Sequence, residues 1–256
     1  MKQQLFAPIV EIDRFADGLY RFALNAPFVA QHCAPGQFVN VKVAHENYPL
    51  LRRPLSIHDS DGIRRIDLVF RVVGEGTAIL AERRVGDELD LIGPLGSPFR
   101  IIKDKRALLA GGGVGIPPIH FLFREIQRRE LPHFVICGMR NKDEAALAGA
   151  IPYETEHYEL CTDDGSLGRK GLAIDPLIEQ LNAVDPASVA VYCCGPEPML
   201  RAVIRLCNER GVECQVSFEQ QMACGFGACI GCSIETKKGY QRVCTEGPVF
   251  SASDFE

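Results

Sequence analysis

Four cysteines near the C-terminus, Cys224, Cys229, Cys232 and Cys244, follow the spacing C-x4-C-x2-C-x11-C, and glycines stand between the first three in "MACGFGACIGC". No other feature restricts the fold as much, because such a segment must wrap around something. Disulfides are not expected. The N-terminal "MKQQLFAPIVEIDRF" has no uninterrupted apolar stretch of the kind that directs secretion, so the chain reads as cytoplasmic, where thiols stay reduced. Zinc ribbons prefer two C-x2-C pairs, and only one is present. The order C-x4-C-x2-C…C is the plant-type arrangement for a [2Fe-2S] cluster with four thiolate ligands. Gly225, Gly227 and Gly231 suit it, since a wrapped loop needs unusual φ values and bare backbone N–H groups can reach the sulfurs. In plant ferredoxins the last cysteine comes much later and the cluster has a domain of its own. The final forty residues here cannot build one, so the cluster has to lean on the rest of the chain or on a partner.

With 256 residues, 46% of them hydrophobic and 24% charged, the chain is long enough for two domains with proper cores. A net charge of −5 without a basic cluster argues against a nucleic-acid surface. The most apolar region, 107–123, is broken by glycines, prolines and a histidine, so no membrane span is expected. Of the other cysteines, Cys33, Cys137, Cys161, Cys193, Cys194, Cys207 and Cys214 are scattered, several in strand-like apolar runs, and read mostly as small buried hydrophobes.

Residues 1–102 alternate short strands with turns, among them Val39–Val43, Ile66–Val73 and Glu88–Ile92, with a brief helix at 77–84; this is a β-barrel signature. From about residue 103 to 216 the pattern becomes strand, loop, helix. The predicted strands start at Ala107, Phe134, Tyr158, Val189 and Glu213, and the helices lie at about 116–130, 143–149, 175–183 and 197–210. Such alternation implies a doubly wound parallel sheet, an α/β domain covered on both faces. Residues 217–256 form the iron–sulfur loop segment, with little regular structure expected.

Ala110-Gly-Gly-Gly-Val-Gly-Ile-Pro-Pro118 follows the first of these strands and opens a helix, and Cys193-Cys-Gly-Pro-Glu-Pro-Met199 follows the fourth. Either could be a tight strand-to-helix turn. Two such loops at the carboxyl edge of one sheet favour a nucleotide cleft, because glycine lets the backbone approach a pyrophosphate. In the barrel half, Arg52-Arg-Pro-Leu-Ser-Ile57 sets arginines beside a proline turn, suited to a phosphate but equally readable as solvated charges. Phe70-Arg-Val-Val-Gly-Glu-Gly-Thr77 follows, with Thr77 as the expected N-cap of helix 77–84.

"RRPLSI", "VVGEGT", "GPLGSPF", "GGGVGIPP", "TDDGSLGRKG" and "CCGPEPML" stand in the order found in the ferredoxin–NADP reductase superfamily, where a flavin-binding barrel precedes a nicotinamide-binding domain. With "CGFGACIGC" and "RVCTEGPVF", residues 5–250 resemble the electron-transfer subunits of NAD-dependent (type B) dihydroorotate dehydrogenase. The resemblance implies that FAD lies at Arg53, Pro54, Leu55 and Ser56, that Phe70, Arg71 and Val72 line it, and that Gly76 and Thr77 hold its pyrophosphate. It likewise implies a nicotinamide cleft at Gly111, Gly112, Gly113, Gly115, Cys194, Gly195 and Pro196. The implied partner is an FMN-containing catalytic subunit that oxidises dihydroorotate, two copies of each forming a heterotetramer, with NAD at the other end of the path. Rival readings are a flavin/iron–sulfur reductase subunit serving a hydrogenase or ferredoxin, and a redox-sensing module without enzymatic work.

Since flavin alone handles both hydride and single electrons, the cofactor order NADH, FAD, cluster follows, and no acid–base pair is required of the chain. His58 and His120 therefore read as packing residues, and Glu246 as structural. Asp163 and Asp164, just past a strand end, favour NAD over NADP by repelling a 2′-phosphate, while Arg140 and Lys142 offer a competing phosphate contact.

Overall fold

The computed structural model describes residues 1–44, 48–144 and 157–256. Its first part is a closed antiparallel barrel built from β1 (Gln3–Ala16), β2 (Leu19–Asn25), β3 (Phe38–Lys42), β4 (Arg53–Ser60), β5 (Arg65–Arg71) and β6 (Glu88–Leu95), in the order β1-β2-β5-β4-β3-β6. Closure comes from β1. Its first half, Gln3 to Pro8, pairs with β6, while the stretch from Ile9 onward pairs with β2 across an irregularity at Ile9/Glu11. Ala7, Ile9, Phe22, Leu24, Val39, Val41, Ile57, Leu68 and Leu91 fill the interior, and the helix α1 (Pro27–His32) covers one end through Val29 and Ala30.

The helix α2 (Glu75–Ala81) sits between β5 and β6. It starts two residues before the position expected, so Thr77 is not its N-cap. The Thr77 hydroxyl instead reaches back to accept the backbone N–H groups of Val73 (3.0 Å) and Gly74 (3.3 Å), the third-residue half of a capping box. Nor is "RRPLSI" a turn: Arg53 opens β4. Pro54 is tolerated because β4 pairs with β5 only from Ile57 onward, so its missing N–H breaks no ladder on that side.

The second part is a sheet of order β10-β9-β8-β7-β11-β12-β15. Its strands β7 (Arg106–Gly112), β8 (His133–Met139), β9 (Tyr158–Thr162), the short β10 (Arg169–Lys170), β11 (Val189–Cys194) and β12 (Glu213–Ser217) run parallel. The helix α3 (Ile116–Arg128) buries Ile119, Leu122, Phe123 and Ile126 on one face, and α4 (Ile174–Asn182) and α5 (Glu197–Arg210) bury Leu177, Leu181, Leu200, Val203 and Ile204 on the other. The helix expected over 143–149 lies largely outside the described residues.

More order exists after residue 217 than the sequence suggested. A hairpin of β13 (Ser233–Thr236) and β14 (Gly239–Arg242) is followed by β15 (Val249–Ser251), which returns antiparallel to β12 as the edge of the large sheet. Met222, Cys232, Val243, Cys244 and Phe250 share one apolar cluster with Val216 and Ile204 of the α/β part and with Phe38 and Leu95 of the barrel. The segment has no core of its own and borrows both neighbours'. Among the described residues no helix is long and apolar enough to cross a membrane.

The barrel meets the α/β part where β4 packs on α3. There His58 and His120 are buried and stacked, ring centroids 4.4 Å apart, and His58 Nδ1–H donates to the Pro117 carbonyl at 3.1 Å. Asp59 Oδ2 stands 3.9 Å from His120 Nε2 and from Arg124 Nε. Both histidines thus lie buried where the barrel packs on α3. Burial, with His120 adding to it, pushes the His58 pKa down to about 3. The unfolded chain therefore binds this proton first, and stability contributed by neutral His58 is complete above about pH 6.5 and lost as pH falls toward 3. That loss is on the order of a few kcal/mol over the window. His58→Asn keeps a donor for Pro117 without the titration, so its urea midpoint should fall less steeply between pH 6.5 and 4 than the parent's. Identical pH profiles would show that His58 does not carry this dependence.

Candidate functional site

A cleft of about 980 Å³ opens between β4, β5 and α2 on the barrel side and the start of α3 and the segment after β12 on the other. Arg53, Pro54, Leu55, Ser56, Phe70, Arg71 and Thr77 line it, together with Tyr48, Val114, Pro117, Phe218 and Glu219. Val72 and Gly76 are not on its wall. Gly76 instead makes room behind it, since a Cβ there would stand 2.5 Å from the Arg53 guanidinium. The two neighbouring arginines have different fates. Arg52 is committed to Asp90, donating to its carbonyl (2.9 Å) and carboxylate (2.8 Å). Arg53 donates only to backbone carbonyls and pairs with no carboxylate among the described residues.

Opposite this wall the glycine loops after β7 and β11 abut at the carboxyl edge of the sheet. A Cβ on Gly115 would lie 2.3 Å from the Cys194 carbonyl oxygen, and one on Gly112 would lie 2.5 Å from Met199 Sδ and 3.0 Å from the Pro196 ring. Only glycine permits that approach. Gly111, Gly112, Gly113, Gly115, Cys194, Gly195 and Pro196 are thus gathered at one place, while Val114 and Glu197 carry the loops onto the cleft wall. Glu219 opens to the cleft, yet the protein around it strips away water and raises its pKa; no cation pairs with it among the described residues. Burial, and Glu219 after it, raises the Cys194 thiol well above the usual range.

The cysteine loop lies against the barrel's β3. Gly225 and Gly227 adopt φ of 75° and 93°, and a Cβ on Gly225 would fall 2.3 Å from Asn40 Nδ2. That amide donates to the Cys224 carbonyl at 3.1 Å. Lys2 donates to the Phe226 carbonyl (3.0 Å), and Arg242, braced by Glu246, donates to the Gly227 carbonyl (2.8 Å). Arg242 holds the Glu246 carboxyl down to about 2.

The sulfurs come in two pairs. Cys224 and Cys229 are half-buried with sulfurs 3.3 Å apart, whereas Cys232 and Cys244 are buried and contact each other. Desolvation opposes ionisation of Cys224, but N–H groups of Cys229, Phe226 and Gly227 aimed at its sulfur outweigh it and bring the pKa to about 6. Cys244 is pushed up to about 12 by burial and by Cys232.

Among the described residues no three His, Cys, Asp or Glu side chains converge as they would on a single ion. Two thiolate pairs joined by a glycine loop that offers N–H groups to sulfur fit a two-iron cluster instead. The cleft likewise fits a flavin nucleotide: an uncompensated arginine for phosphate, and apolar walls from Leu55, Phe70 and Phe218 for a ring system. The seven other cysteines pack as small hydrophobes; burial raises Cys137 to about 12 and Cys161 to about 11.

Several contributors carried no local sequence signal. Asn40 sits in an ordinary strand, Phe218 and Glu219 follow one, and Tyr48 lies in a loop. Only the assembled fold brings them to the site.

Residues 16–99 match the oxidoreductase FAD-binding domain, and residues 219–256 match the iron–sulfur cluster binding domain of dihydroorotate dehydrogenase B. The electron transfer subunit of dihydroorotate dehydrogenase B (NAD(+)) from Fusobacterium nucleatum is 38% identical over 250 residues, covering 95% of each chain. Its counterpart from a Geobacillus species is 36% identical, covering 99% of this chain and 98% of that one. Among solved structures, an NADH-dependent reduced ferredoxin–NADP oxidoreductase superposes with a TM-score of 0.87 at 26% identity, over 100% of this chain and 91% of that one. Phthalate dioxygenase reductase shares the fold, with a TM-score of 0.67 at 16% identity and 94% of each chain covered. Matched over almost its whole length at this identity, the chain belongs to the family of dihydroorotate dehydrogenase B electron transfer subunits.

Proposed function

We propose that this protein passes electrons between an FMN-containing, dihydroorotate-oxidising catalytic subunit and NAD, as a flavin/iron–sulfur oxidoreductase of pyrimidine biosynthesis. The observation that carries this reading is the shared strand pair: β3 bears Asn40, which holds the cysteine loop, and its partner β4 bears Arg53–Ser56 of the cleft, with Asn40 opposite Pro54. Flavin, when bound, supplies the chemistry that exchanges hydride with a nicotinamide and single electrons with an iron–sulfur centre.

The chain's own residues would hold and shape these groups. Arg53 meets a phosphate, and Ser56 presents a hydroxyl on the same wall. Leu55, Phe70 and Phe218 exclude water from the ring site. The loops at Gly111–Gly115 and Cys194–Pro196 let the backbone approach a nicotinamide dinucleotide. Cys224, Cys229, Cys232 and Cys244 ligate iron, and the N–H groups around Cys224 favour its thiolate.

The catalytic partner would dock where Cys224 and Cys229 remain half-exposed, beside the exposed Phe226 and Ile230. Ile230 follows a proposed ligand directly and is 80% exposed, an unusual placement for an isoleucine without a partner to cover it. Two copies of each subunit in the cytoplasm, and three working units at 1–102, 103–216 and 217–256, complete the proposal. A second reading, a reductase subunit for a ferredoxin-dependent complex, draws on the likeness to the ferredoxin–NADP oxidoreductase. Co-purification from the source cell separates them: an FMN protein that oxidises dihydroorotate supports the first, and a ferredoxin-linked enzyme overturns it.

The purified protein should carry FAD together with iron and acid-labile sulfide in the amounts of one [2Fe-2S] cluster per chain. Zinc without labile sulfide would contradict the cysteine assignment. Replacing Cys232 by serine removes a soft ligand without touching Arg53–Ser56 or Gly111–Gly115. That variant should keep FAD and reduce a flavin-accepting dye with NADH, yet, once assembly is verified by size, fail to couple dihydroorotate to NAD; normal coupling without a cluster would refute the path. NADH should be used more efficiently than NADPH, and equal efficiencies would argue against the role given to Asp163 and Asp164.

A further inference from the structure

We infer that Glu144 is a selectivity residue for the nicotinamide dinucleotide: by drawing Arg140 onto its own carboxylate, it competes for a guanidinium that could otherwise grip a 2′-phosphate. The inference rests on the reading above that the dinucleotide lies along the carboxyl edge of the sheet.

Arg140 follows β8, the strand next to the glycine-bearing β7, and an arginine in this region is what an α/β nucleotide fold uses to accept a 2′-phosphate. By residue type Arg140, set against Asp163 and Asp164, is the group that would favour NADPH. Its guanidinium is 74% exposed, and the two donors on its Nε side are drawn onto a single Glu144 oxygen. Arg140 Nη2 donates to Glu144 Oε1 at 2.6 Å, Nε to the same oxygen at 3.1 Å, and the Arg140 backbone N–H to Oε2 at 3.2 Å.

Glu144 is itself firmly placed. Its side chain is 9% exposed, and its carboxylate also stands 3.3 Å from Arg71 Nη2, across from the barrel. Desolvation works against its charge, but Arg140 and then Arg71 hold its pKa below the ordinary range, so it stays ionised. With two guanidinium donors on one oxygen and the backbone N–H on the other, the carboxylate holds Arg140 in one orientation.

The loop after β9 is stitched to Arg140, with the Asp163 N–H donating to the Met139 carbonyl (3.0 Å) and the Asp164 N–H to the Arg140 carbonyl (3.4 Å). Neither Asp163 nor Asp164 pairs with a cation among the described residues. Lys142 is exposed, and its backbone N–H donates to the Ser166 hydroxyl at 2.8 Å. Neutralising Glu144 alone returns a guanidinium fork to the edge without creating a cavity.

The test uses the FAD- and cluster-loaded chain with FAD in excess. Binding of ADP-ribose and of its 2′-phosphate is measured by calorimetry, and kcat/KM for NADH and NADPH is measured with a two-electron dye. Glu144→Gln should shift both the binding ratio and the kcat/KM ratio toward the 2′-phosphorylated ligand by about tenfold, or about 1.4 kcal/mol, chiefly through Kd and KM. Adding Arg140→Ala to that variant should abolish the gain. An equal loss for both ligands would mean that Glu144 is only a brace, and a gain that survives Arg140→Ala would mean that Arg140 is not the withheld contact; either overturns the inference. Failure of ADP-ribose to compete with NADH in the parent protein would instead overturn the placement of the dinucleotide, and this inference with it.

Discussion

A part-buried hydrogen bond, from the Asn40 amide to the Cys224 carbonyl at 3.1 Å, ties the cysteine loop to β3 of the barrel, and the placement of the loop beside the cleft turns on that junction. Losing such a partner costs about 1–3 kcal/mol. Its larger consequence is geometric. Asn40 can come so close only because Gly225 has no side chain, and its strand neighbour Pro54 lines the cleft. The loop is therefore registered against the cleft through two adjacent strands, with no mobile linker between them. The return of β15 onto β12, and Cys232 and Cys244 sharing a core with Phe38 and Leu95, secure the other side.

Charge is distributed with the same economy. Arg52, Arg71 and Arg140 each face a carboxylate, while Arg53 faces none among the described residues. A fold with several arginines near one opening thus leaves a single uncommitted guanidinium on the barrel side, where a pyrophosphate would be neutralised. On the sulfur side, the half-exposed pair is the one whose first thiol is easily ionised, and the buried pair faces the core. Such an asymmetry suits the proposed electron path, in which a partner would meet the half-exposed pair.

The parts legible in the sequence were those written in local pattern. The apolar runs of β7, β8, β9, β11 and β12 and the helical periods of α3, α4 and α5 carry their own signal, and the cysteine spacing is a direct imprint of coordination chemistry. β1 was not legible, because charges at Glu11, Asp13 and Arg14 break its alternation where the strand turns from β6 to β2. β4 was hidden by Pro54, which reads as a turn until its one-sided pairing is known. Thr77 offered a plausible cap two residues too late, since the chain starts α2 at Glu75 and uses the hydroxyl backwards. Asn40 could not be singled out, because it acquires its role from Cys224, distant in sequence; Glu144 lies only four residues from Arg140, but Arg71, which helps to fix it, is likewise distant.

The central claim is that one chain holds a flavin and a cluster in direct electronic contact through the β3–β4 wall. Rapid mixing of the FAD- and cluster-loaded chain with NADH, without any partner, tests it most directly when flavin absorbance and freeze-quenched cluster paramagnetism are followed together. The account predicts that the flavin is reduced first and that the reduced-cluster signal then grows as flavin electrons are withdrawn, within the turnover time of the protein. A flavin fully reduced by NADH beside a cluster that stays oxidised until the catalytic partner is added would contradict it.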